Sequence, residues 1–262
     1  MFQASVLASG SKGNSILVRT ESTKILLDAG LSGKKITNFI HSIELDENKI
    51  DAVVISHEHS DHIRGAGIIC RKLQIPLYIS ESTYNACNLR LGKLPVGPIY
   101  FENGSSTFVI GDIEIRAFQS SHDVVDGSNF TLRKIGDDSR KLAVATDLGF
   151  SSNLMITQLK NSTSIILESN HDLNMLIKGS YPPHLKQRIK SKQGHLSNEQ
   201  AVKVIKEVYH PGLKNIILAH LSEENNLPEI AEKLMRDYLN KKDKNLNLIV
   251  ASQYESTKII DV

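Results

Sequence analysis

Six consecutive residues, His57-Glu58-His59-Ser60-Asp61-His62, bring three imidazoles and two carboxylates together directly after an apolar segment. His57 and His59 lie two residues apart, so in an extended or turning segment their side chains point the same way. Asp61 and His62 fall at the start of a predicted helix and can face a second metal. Imidazole nitrogen and carboxylate oxygen suit Zn²⁺, Mn²⁺ or iron. Because three of the ten histidines fall within six positions, a metal site explains the run better than a polar surface loop.

Three more candidate ligands stand far from this run, each just after a predicted strand. They are His122, Asp147 and His220. A single histidine or a strand-end aspartate is more often structural than metal-binding, so none of them would be singled out alone. Together with the run, however, they complete a plausible ligand set for a dinuclear site.

This order of residues resembles the metallo-β-lactamase superfamily, whose pattern is an Asp after an early strand, then H-x-H-x-D-H, and then His, Asp and His. The resemblance covers nearly the whole chain, and Asp28 matches the early Asp, which supports the site from behind. It implies an α/β fold, a four-layer αββα sandwich of two mixed sheets with helices on the outer faces. It also implies two metal sites bridged by Asp147, one held by His57, His59 and His122 and the other by Asp61, His62 and His220.

The same resemblance implies two divalent metal ions, zinc or manganese, with iron as the alternative. Two such cations roughly 3.5–4 Å apart lower the pKa of a bridging water and polarise an ester or phosphodiester. The bridging hydroxide is then the nucleophile, and Asp61, with one oxygen on a metal, orients it through the other. Glu58 is either a supporting carboxylate or a solvated one.

Some branches of the superfamily do not fit this chain. The main antibiotic-cleaving enzymes use a Cys ligand and lack the histidine found here at His62, and the segment from Asp147 to His220 is too short for an inserted cap domain. Four further motifs are similar to the YycJ/WalJ group of stand-alone members, which are regarded as exonuclease-like phosphodiesterases acting on DNA. These motifs are residues 8–15, 168–172, 194–198 and 220–226.

The four motifs add candidates for substrate binding and proton transfer. In the Gly- and Ser-rich first motif, Ser11 and Asn14 can contact a phosphate, although a tight turn between two strands is an equal explanation. Asn170 is a further substrate-binding candidate. His171 and His195 lie in polar loops, where one of them could protonate the leaving oxygen or bind the phosphate. The alternative for both histidines is a surface or helix-cap position.

Basic residues cluster in one stretch, from Lys178 to Lys192, which also contains Tyr181. This stretch could track a nucleic-acid backbone, with the tyrosine as a stacking platform. A solvated helix face is the usual meaning of such a charge run and fits equally well. The whole chain has 31 basic and 29 acidic residues, so its net charge of +2 excludes a strongly basic nucleic-acid coat but not a local groove.

The elements that must position these residues are short strands mixed with helices, which favours one α/β domain over residues 1–262. Val-, Ile- and Leu-rich segments bounded by Gly, Ser, Asn or Asp predict the strands. The predicted strands are 3–8, 15–19, 24–27, 52–55, 77–79, 107–110, 113–118, 130–134, 142–146, 165–167 and 216–218. The predicted helices are 33–43, 63–73, one opened by Ser197, and 227–239, and residues 241–245 form a predicted solvated turn.

Cysteine usage and the N-terminus bear on location. Cys70 and Cys87 are too few for a disulfide scaffold and form no C-x-x-C pair. The first eight residues read as a strand rather than a signal peptide, and no apolar stretch reaches the roughly 20 residues of a membrane span. These features predict a cytoplasmic protein without a membrane partner.

Three functions remain open from the sequence. The first is a metal-dependent phosphodiesterase, a DNA 5′-exonuclease with nucleic acid as its partner. The second is a small-molecule hydrolase of the same fold, acting on a cyclic phosphodiester, thioester or lactone. The third, a binding protein that keeps the metal site only as a scaffold, is disfavoured by the complete ligand set. An open, positively lined cleft would favour the nuclease, and a closed pocket with apolar walls the small-molecule enzyme.

Overall fold

The computed structural model describes residues 1–104, 107–241 and 246–262, so most of the turn predicted at 241–245 lies outside the described residues. Within these ranges the strands are β1 (Phe2–Ala8), β2 (Ser15–Thr20), β3 (Lys24–Leu27), β4 (Ala52–Val54), β5 (Leu77–Ile79), β6 (Ile99–Tyr100), β7 (Thr107–Ile110), β8 (Ile113–Gln119), β9 (Ser128–Lys134), β10 (Asp137–Ala145), β11 (Ser164–Glu168), β12 (Asn215–Ala219), β13 (Asn247–Val250) and β14 (Ile260–Asp261). The helices are α1 (Gly33–Ser42), α2 (Ser60–Ile63), α3 (Ala66–Leu73), α4 (Glu81–Leu91), α5 (Asn153–Leu159), α6 (Leu173–Lys178), α7 (Pro183–Lys190), α8 (Asn198–Val208) and α9 (Pro228–Leu239).

The strands form two mixed sheets. The first has the order β14-β1-β2-β3-β4-β5-β6, and the second has the order β13-β12-β11-β10-β9-β8-β7. Pairs from β3 to β6 and from β10 to β13 are parallel, and the other pairs are antiparallel. Parallel neighbours need a crossover connection, which explains why the helices concentrate in those parts of the chain.

Apolar side chains fill three layers of the molecule. Between the two sheets, Val18 and Val54 from the first sheet belong to one cluster with Leu132 and Ile166 from the second. A second cluster joins the outer face of the first sheet to α1 and α3, and a third joins the outer face of the second sheet to α5, α8 and α9. The layers therefore run helix, sheet, sheet, helix, as predicted.

Central strands are buried on both faces, which accounts for their continuous apolar runs. In β11, Ile166 belongs to the cluster between the sheets, whereas Ile165 and Leu167 belong to the cluster beneath the helices. Ile217 of β12 also belongs to the inner cluster. A strand with helices on one side and a sheet on the other has no face left for polar residues.

The helix predicted over residues 63–73 is interrupted, because α2 and α3 meet at Gly65. The Gly65 N–H donates to the carbonyl of Ala29 at 2.7 Å, instead of continuing the helical pattern. A Cβ at Gly65 would lie 2.2 Å from the carbonyl oxygen of Leu31. The close approach of the loop after β3 therefore separates the two helices, and local periodicity carries no sign of such a contact.

Other predicted elements agree with the structure to within a few residues, and Ser197 opens α8 with a capping box, as its sequence indicates. The sequence patterns did not predict α4, α5, α6, β6, β13 or β14, and they left a helix at α7 as one of two interpretations of the basic stretch.

The single-domain organisation stays a prediction. Among the described residues, no helix combines the length and apolar character needed to cross a bilayer.

One edge of the sandwich gathers strand ends from both sheets. Asp28, Asp147 and His220 each lie within two residues of a strand end and have φ angles of 60°, 57° and 55°. This left-handed conformation is uncommon for residues with a side chain, although Asp, Asn and His adopt it more often than others. The chain therefore turns sharply at the three positions, each at a cost of about 1–3 kcal/mol.

Candidate metal centre

The segment after β4, which runs through a short loop into α2, is held against its surroundings by backbone contacts. The Asn14 N–H donates to the carbonyl of Asp61 at 2.8 Å, and the Ala29 N–H donates to the carbonyl of His62 at 2.8 Å. Gly30 lies directly against this segment, since a Cβ built there would be 1.5 Å from the carbonyl oxygen of Asp61. A residue without a side chain is thus required for the loop to reach its position.

Three imidazoles form the first group of candidate ligands. His57 and His59 come from the loop after β4, and His122 comes from the loop after β8. Their ring centroids are 4.8 Å apart for His57 and His59, 5.1 Å for His59 and His122, and 5.5 Å for His57 and His122. One nitrogen from each ring lies within 4.8 Å of the others. The structure therefore brings together the three histidines that the sequence assigned to one metal.

Asp61, His62 and His220 form the second group, in which the candidate ligand atoms again lie within 4.8 Å of one another. Asp147 lies between the two groups. Its Oδ1 is 3.8 Å from Nε2 of His122, and its Oδ2 is 3.5 Å from Nε2 of His62. The position suits the bridging role expected of Asp147, and that role stays a prediction.

A buried carboxylate supports the site from each sheet. From the first sheet, Asp28 accepts hydrogen bonds from the backbone N–H and hydroxyl of Ser56 and from Nδ1 of His62, all at 2.8 Å. The Ser56 hydroxyl also lies 2.9 Å from Nδ1 of His57. Asp28 thus fixes the orientation of an imidazole behind the candidate metal, the arrangement common among metal-binding histidines.

From the second sheet, Glu168 plays the corresponding part, and the sequence did not single it out as a site residue. Its side chain is fully buried at the end of β11, and Oε1 lies 2.8 Å from Nδ1 of both His195 and His220. The same carboxylate accepts backbone N–H bonds from Asp147, Leu148 and Leu196. A carboxylate directly after the apolar run Ile165-Ile166-Leu167, in a strand that is buried throughout, was the available signal.

Several buried polar atoms of the cluster have no hydrogen-bond partner in the described structure. They are Nε2 of His57, Oδ2 of Asp147 and Nε2 of His220. Leaving such atoms unpaired is costly, and each one belongs to a candidate ligand. Imidazole and carboxylate donors without a thiol fit zinc, manganese or iron, because both cysteines are buried in the core. The residues present therefore fit the expected metal ions.

Electrostatics at the cluster favours a cation. Burial lowers the pKa of His57 well below its usual value, and the neighbouring imidazoles lower it further. Burial also lowers the pKa of His62, but the carboxylates of Asp28 and Asp147 outweigh burial and raise it to about 9. Burial raises the pKa of Glu168, but the facing imidazoles outweigh it and hold the pKa below the usual value. Glu168 is therefore charged at neutral pH despite complete burial.

The predicted substrate residues separate into two sets. Ser11, Asn170 and His195 line the cavity next to the candidate ligands. Asn14 instead lies beneath the ligands, where its amide nitrogen is 3.1 Å from Nε2 of His62. His171 is 1% exposed and is not among the residues that line the cavity. The structure therefore places Asn14 and His171 near the site, but neither residue lines the cavity in which a substrate would bind.

The cavity beside the ligands has a volume of about 260 Å³ and a mixed lining. Part of the lining consists of candidate ligands, including Asp61 and Asp147, together with Asp123. Another part comes from α7 and the bend before it, namely Tyr181, Leu185, Arg188 and Ile189. Arg188 also forms an ion pair with Asp123, with Nε 2.6 Å from Oδ2, so carboxylates outnumber cations around the cavity.

Comparisons with known proteins now decide the family. The model of the metallo-beta-lactamase superfamily matches residues 8–115. An exodeoxyribonuclease YycJ from Bacillus anthracis is 39% identical over 238 residues, which cover 91% of this chain and 89% of the relative. The chain belongs to the metallo-β-lactamase superfamily, in its YycJ/WalJ group. An exodeoxyribonuclease WalJ from Streptococcus pneumoniae serotype 2 is 40% identical over 244 residues, covering 92% of this chain and 90% of that one.

Solved structures of other superfamily members share the fold at low sequence identity. The metallo-beta-lactamase fold protein YhfI from Bacillus subtilis is 17% identical, with a TM-score of 0.75 over 98% of this chain and 100% of that one. The short form of human tRNase Z is 14% identical, with a TM-score of 0.66 over 99% and 100% of the two chains. The predicted fold and group are confirmed. Membership and the two ligand groups together support a divalent-metal site in a metal-dependent hydrolase.

Proposed function

We propose that this chain is a metal-dependent exodeoxyribonuclease that removes nucleotides from the 5′ end of DNA in the cytoplasm. The observation that carries this proposal is the similarity to two exodeoxyribonucleases over about nine-tenths of all three chains. The proposal is supported by the two groups of candidate ligands, with Asp147 between them, and by the two supporting carboxylates, Asp28 and Glu168. A protein that kept the metal site only as a scaffold would not need this complete set.

Each ligand group would hold one metal, with Asp147 as the shared ligand. Bound zinc or manganese, with iron as the alternative, would activate a water molecule and polarise the phosphodiester. Asp61 would orient the attacking water through its second carboxylate oxygen. Without metals, the carboxylates of the cavity would repel a phosphate, so we expect the substrate to bind only to the metal-loaded protein.

His195 is the residue best placed to protonate the leaving oxygen. Its Nδ1 donates to Oε1 of Glu168 at 2.8 Å, which fixes the ring and leaves Nε2 for the cavity. A histidine oriented by a carboxylate in this way can give a proton to an alkoxide as the P–O bond breaks. Ser11 and Asn170 line the same cavity and would contact the phosphate or sugar.

The cavity itself favours a second candidate, hydrolysis of a small phosphodiester. Its volume of about 260 Å³ falls near the lower end of small-molecule sites, and α7 provides an apolar wall. An open, positively lined cleft is the feature expected of a nuclease that binds along a strand. An exonuclease that takes only the terminal nucleotide into the cavity would reconcile the two observations, because the rest of the strand then remains outside.

The proposal is tested with single- and double-stranded DNA labelled at the 5′ or the 3′ end, in the presence of Mn²⁺ or Zn²⁺. The wild-type protein should release labelled mononucleotide from the 5′ end, and Asp61→Ala should reduce the rate by at least about 100-fold. Asp237→Ala removes an exposed carboxylate from α9 and serves as the matched control. Release from the 3′ end would reverse the proposed polarity. No release by protein shown to carry metal would favour the small phosphodiester.

A further inference from the structure

Three largely apolar side chains on α7 and just before it form a stripe that the protein core does not cover. Leu185 and Ile189 are spaced by four residues and lie along one side of α7, whereas Tyr181 stands in the bend before the helix begins at Pro183. None of the residues of α7 is buried, and the three members of the stripe are half-buried. All three line the cavity that the candidate metal ligands also line. The stripe therefore faces the reaction site rather than the core.

Polar contacts hold α7 in place. The Lys186 ammonium donates to the carbonyls of Ile177 and Gly179 at 2.8 Å and 2.7 Å. The backbone N–H of His195 donates to the carbonyl of Ile189 at 2.9 Å, and Arg188 pairs with Asp123 across the cavity. These contacts hold α7 from Lys186 onwards through polar groups and leave the stripe on the cavity.

The lining of the cavity therefore fits a ligand with one anionic half and one apolar half. One half must be anionic and bind near the imidazoles and carboxylates once metals are present. The other must offer a flat apolar surface to Tyr181, with Leu185 and Ile189 beside it. A nucleotide has this composition, since its phosphate is anionic and its base has an apolar face suited to stacking on an aromatic ring.

We propose that the stripe binds the base of the terminal nucleotide, with Tyr181 as the stacking platform, an inference that rests on the proposed nuclease function. Leu185 and Ile189 have no side-chain hydrogen-bonding groups, so this contact accepts any of the four bases. The substrate class is thus a DNA end of any sequence.

The experiment compares two single-stranded DNA oligonucleotides that differ only at the 5′-terminal residue, thymidine or a stable abasic analogue. The wild-type protein with Mn²⁺ should cleave the abasic end with a kcat/KM lower by about 5- to 150-fold, the range expected for loss of one stacked base. Tyr181→Ala should lose a similar factor on the thymidine end and little on the abasic end. Tyr181→Phe should retain the activity.

Ile177→Ala is the matched control, because Ile177 is an exposed apolar residue on α6 that does not line the cavity. It should leave both rates unchanged. Leu185→Ala provides a second variant with a smaller expected loss on the thymidine end, so the test survives poor folding of Tyr181→Ala. An equal loss on both ends would mean that the stripe only positions α7.

Failure of the stripe and failure of the nuclease function give different results. If the wild-type protein cleaves both ends at the same rate, the base-binding inference is overturned while the nuclease function stands. If it cleaves neither end but hydrolyses methyl p-nitrophenyl phosphate with the same metal, the nuclease function itself is overturned, and the inference with it.

Discussion

The two sheets build their halves of the candidate metal centre in different ways. The first sheet delivers four candidate ligands from one short segment after β4: His57 and His59 from the loop, and Asp61 and His62 from α2. The second sheet delivers its candidates singly, from loops after three different strands, β8, β10 and β12. Ligands that are neighbours in the sequence need only local geometry to come together, whereas ligands from separate loops depend on the register of the whole sheet.

Each half nevertheless uses the same kind of support. Asp28 holds Nδ1 of His62 in the first half, and Glu168 holds Nδ1 of both His195 and His220 in the second. Asp28 also accepts two hydrogen bonds from Ser56, and Glu168 accepts three from backbone N–H groups. Glu168 therefore holds more groups in place than Asp28 does. The second half of the site should be more sensitive to the loss of Glu168 than the first half is to the loss of Asp28.

The largest effect is expected from Gly30→Ala, because Gly30 lies directly against the segment that carries the four neighbouring ligands. The new Cβ would lie 1.5 Å from the carbonyl oxygen of Asp61, so the loop must move. We expect a loss of about 1–3 kcal/mol in the free energy of unfolding and at least about 100-fold in turnover. Denaturant titration and the DNA assay measure the two losses. Gly97→Ala is the control, because no atom lies within 4 Å of the corresponding Cβ. An active Gly30→Ala protein would mean that the positions of the ligands do not depend on the close contact between Gly30 and Asp61.

The comparison of the two supporting carboxylates gives the next largest effect. Glu168→Gln places an amide N–H₂ where imidazole and backbone donors now converge, so His195 and His220 lose their common acceptor. We expect metal affinity to fall by about 100-fold, against about 10-fold for Asp28→Asn, within the range known for such supporting groups. Titration with Zn²⁺ or Mn²⁺ measures both variants. Equal losses would show that the two halves are equally robust.

The smallest effect concerns His171, a buried imidazole of the second half with no proposed ligand role. Burial lowers its pKa to about 4, so the unfolded chain binds this proton near pH 6.5 and the folded chain does not until about pH 4. The stability of the folded state should therefore fall as the pH drops from about 6.5 to 4, by at most about 3 kcal/mol from this residue.

His171→Gln should remove that part of the pH dependence and leave turnover at neutral pH within about twofold, because His171 does not line the cavity. Denaturant titrations of both proteins from pH 7 to pH 4, with a chelator present, measure the difference. A strong loss of turnover with intact metal content would instead give His171 the catalytic role considered from the sequence.

How much of the site the sequence could predict follows from the same contrast. The spacing from His57 to His62 is local, so residue types and order were sufficient to predict ligands there. Glu168 was part of the motif 168–172 but received no role, because its role depends on the imidazoles of His195 and His220, which are distant in the chain. The register of the second sheet and the fold of the later loops bring these groups together, and no short-range pattern records that.

The same reason separates the predicted from the unpredicted parts of the fold. Strands with apolar runs buried on both faces, such as β11 and β12, can be predicted from the sequence because burial alone sets their composition. The break between α2 and α3 cannot be predicted in this way, because it results from contact with a carbonyl oxygen of Leu31 in another loop. The position of α7 rests on single polar contacts such as Arg188 with Asp123, which a charge run cannot reveal.

The left-handed turns at Asp28, Asp147 and His220 place folding and function in opposition. Glycine would adopt these backbone angles without strain, yet glycine has no side chain to offer a metal or an imidazole. The chain therefore accepts a local loss of stability at the positions where its chemistry requires a donor atom. A protein of this fold selected for stability alone would be expected to lose its reaction centre at these turns first.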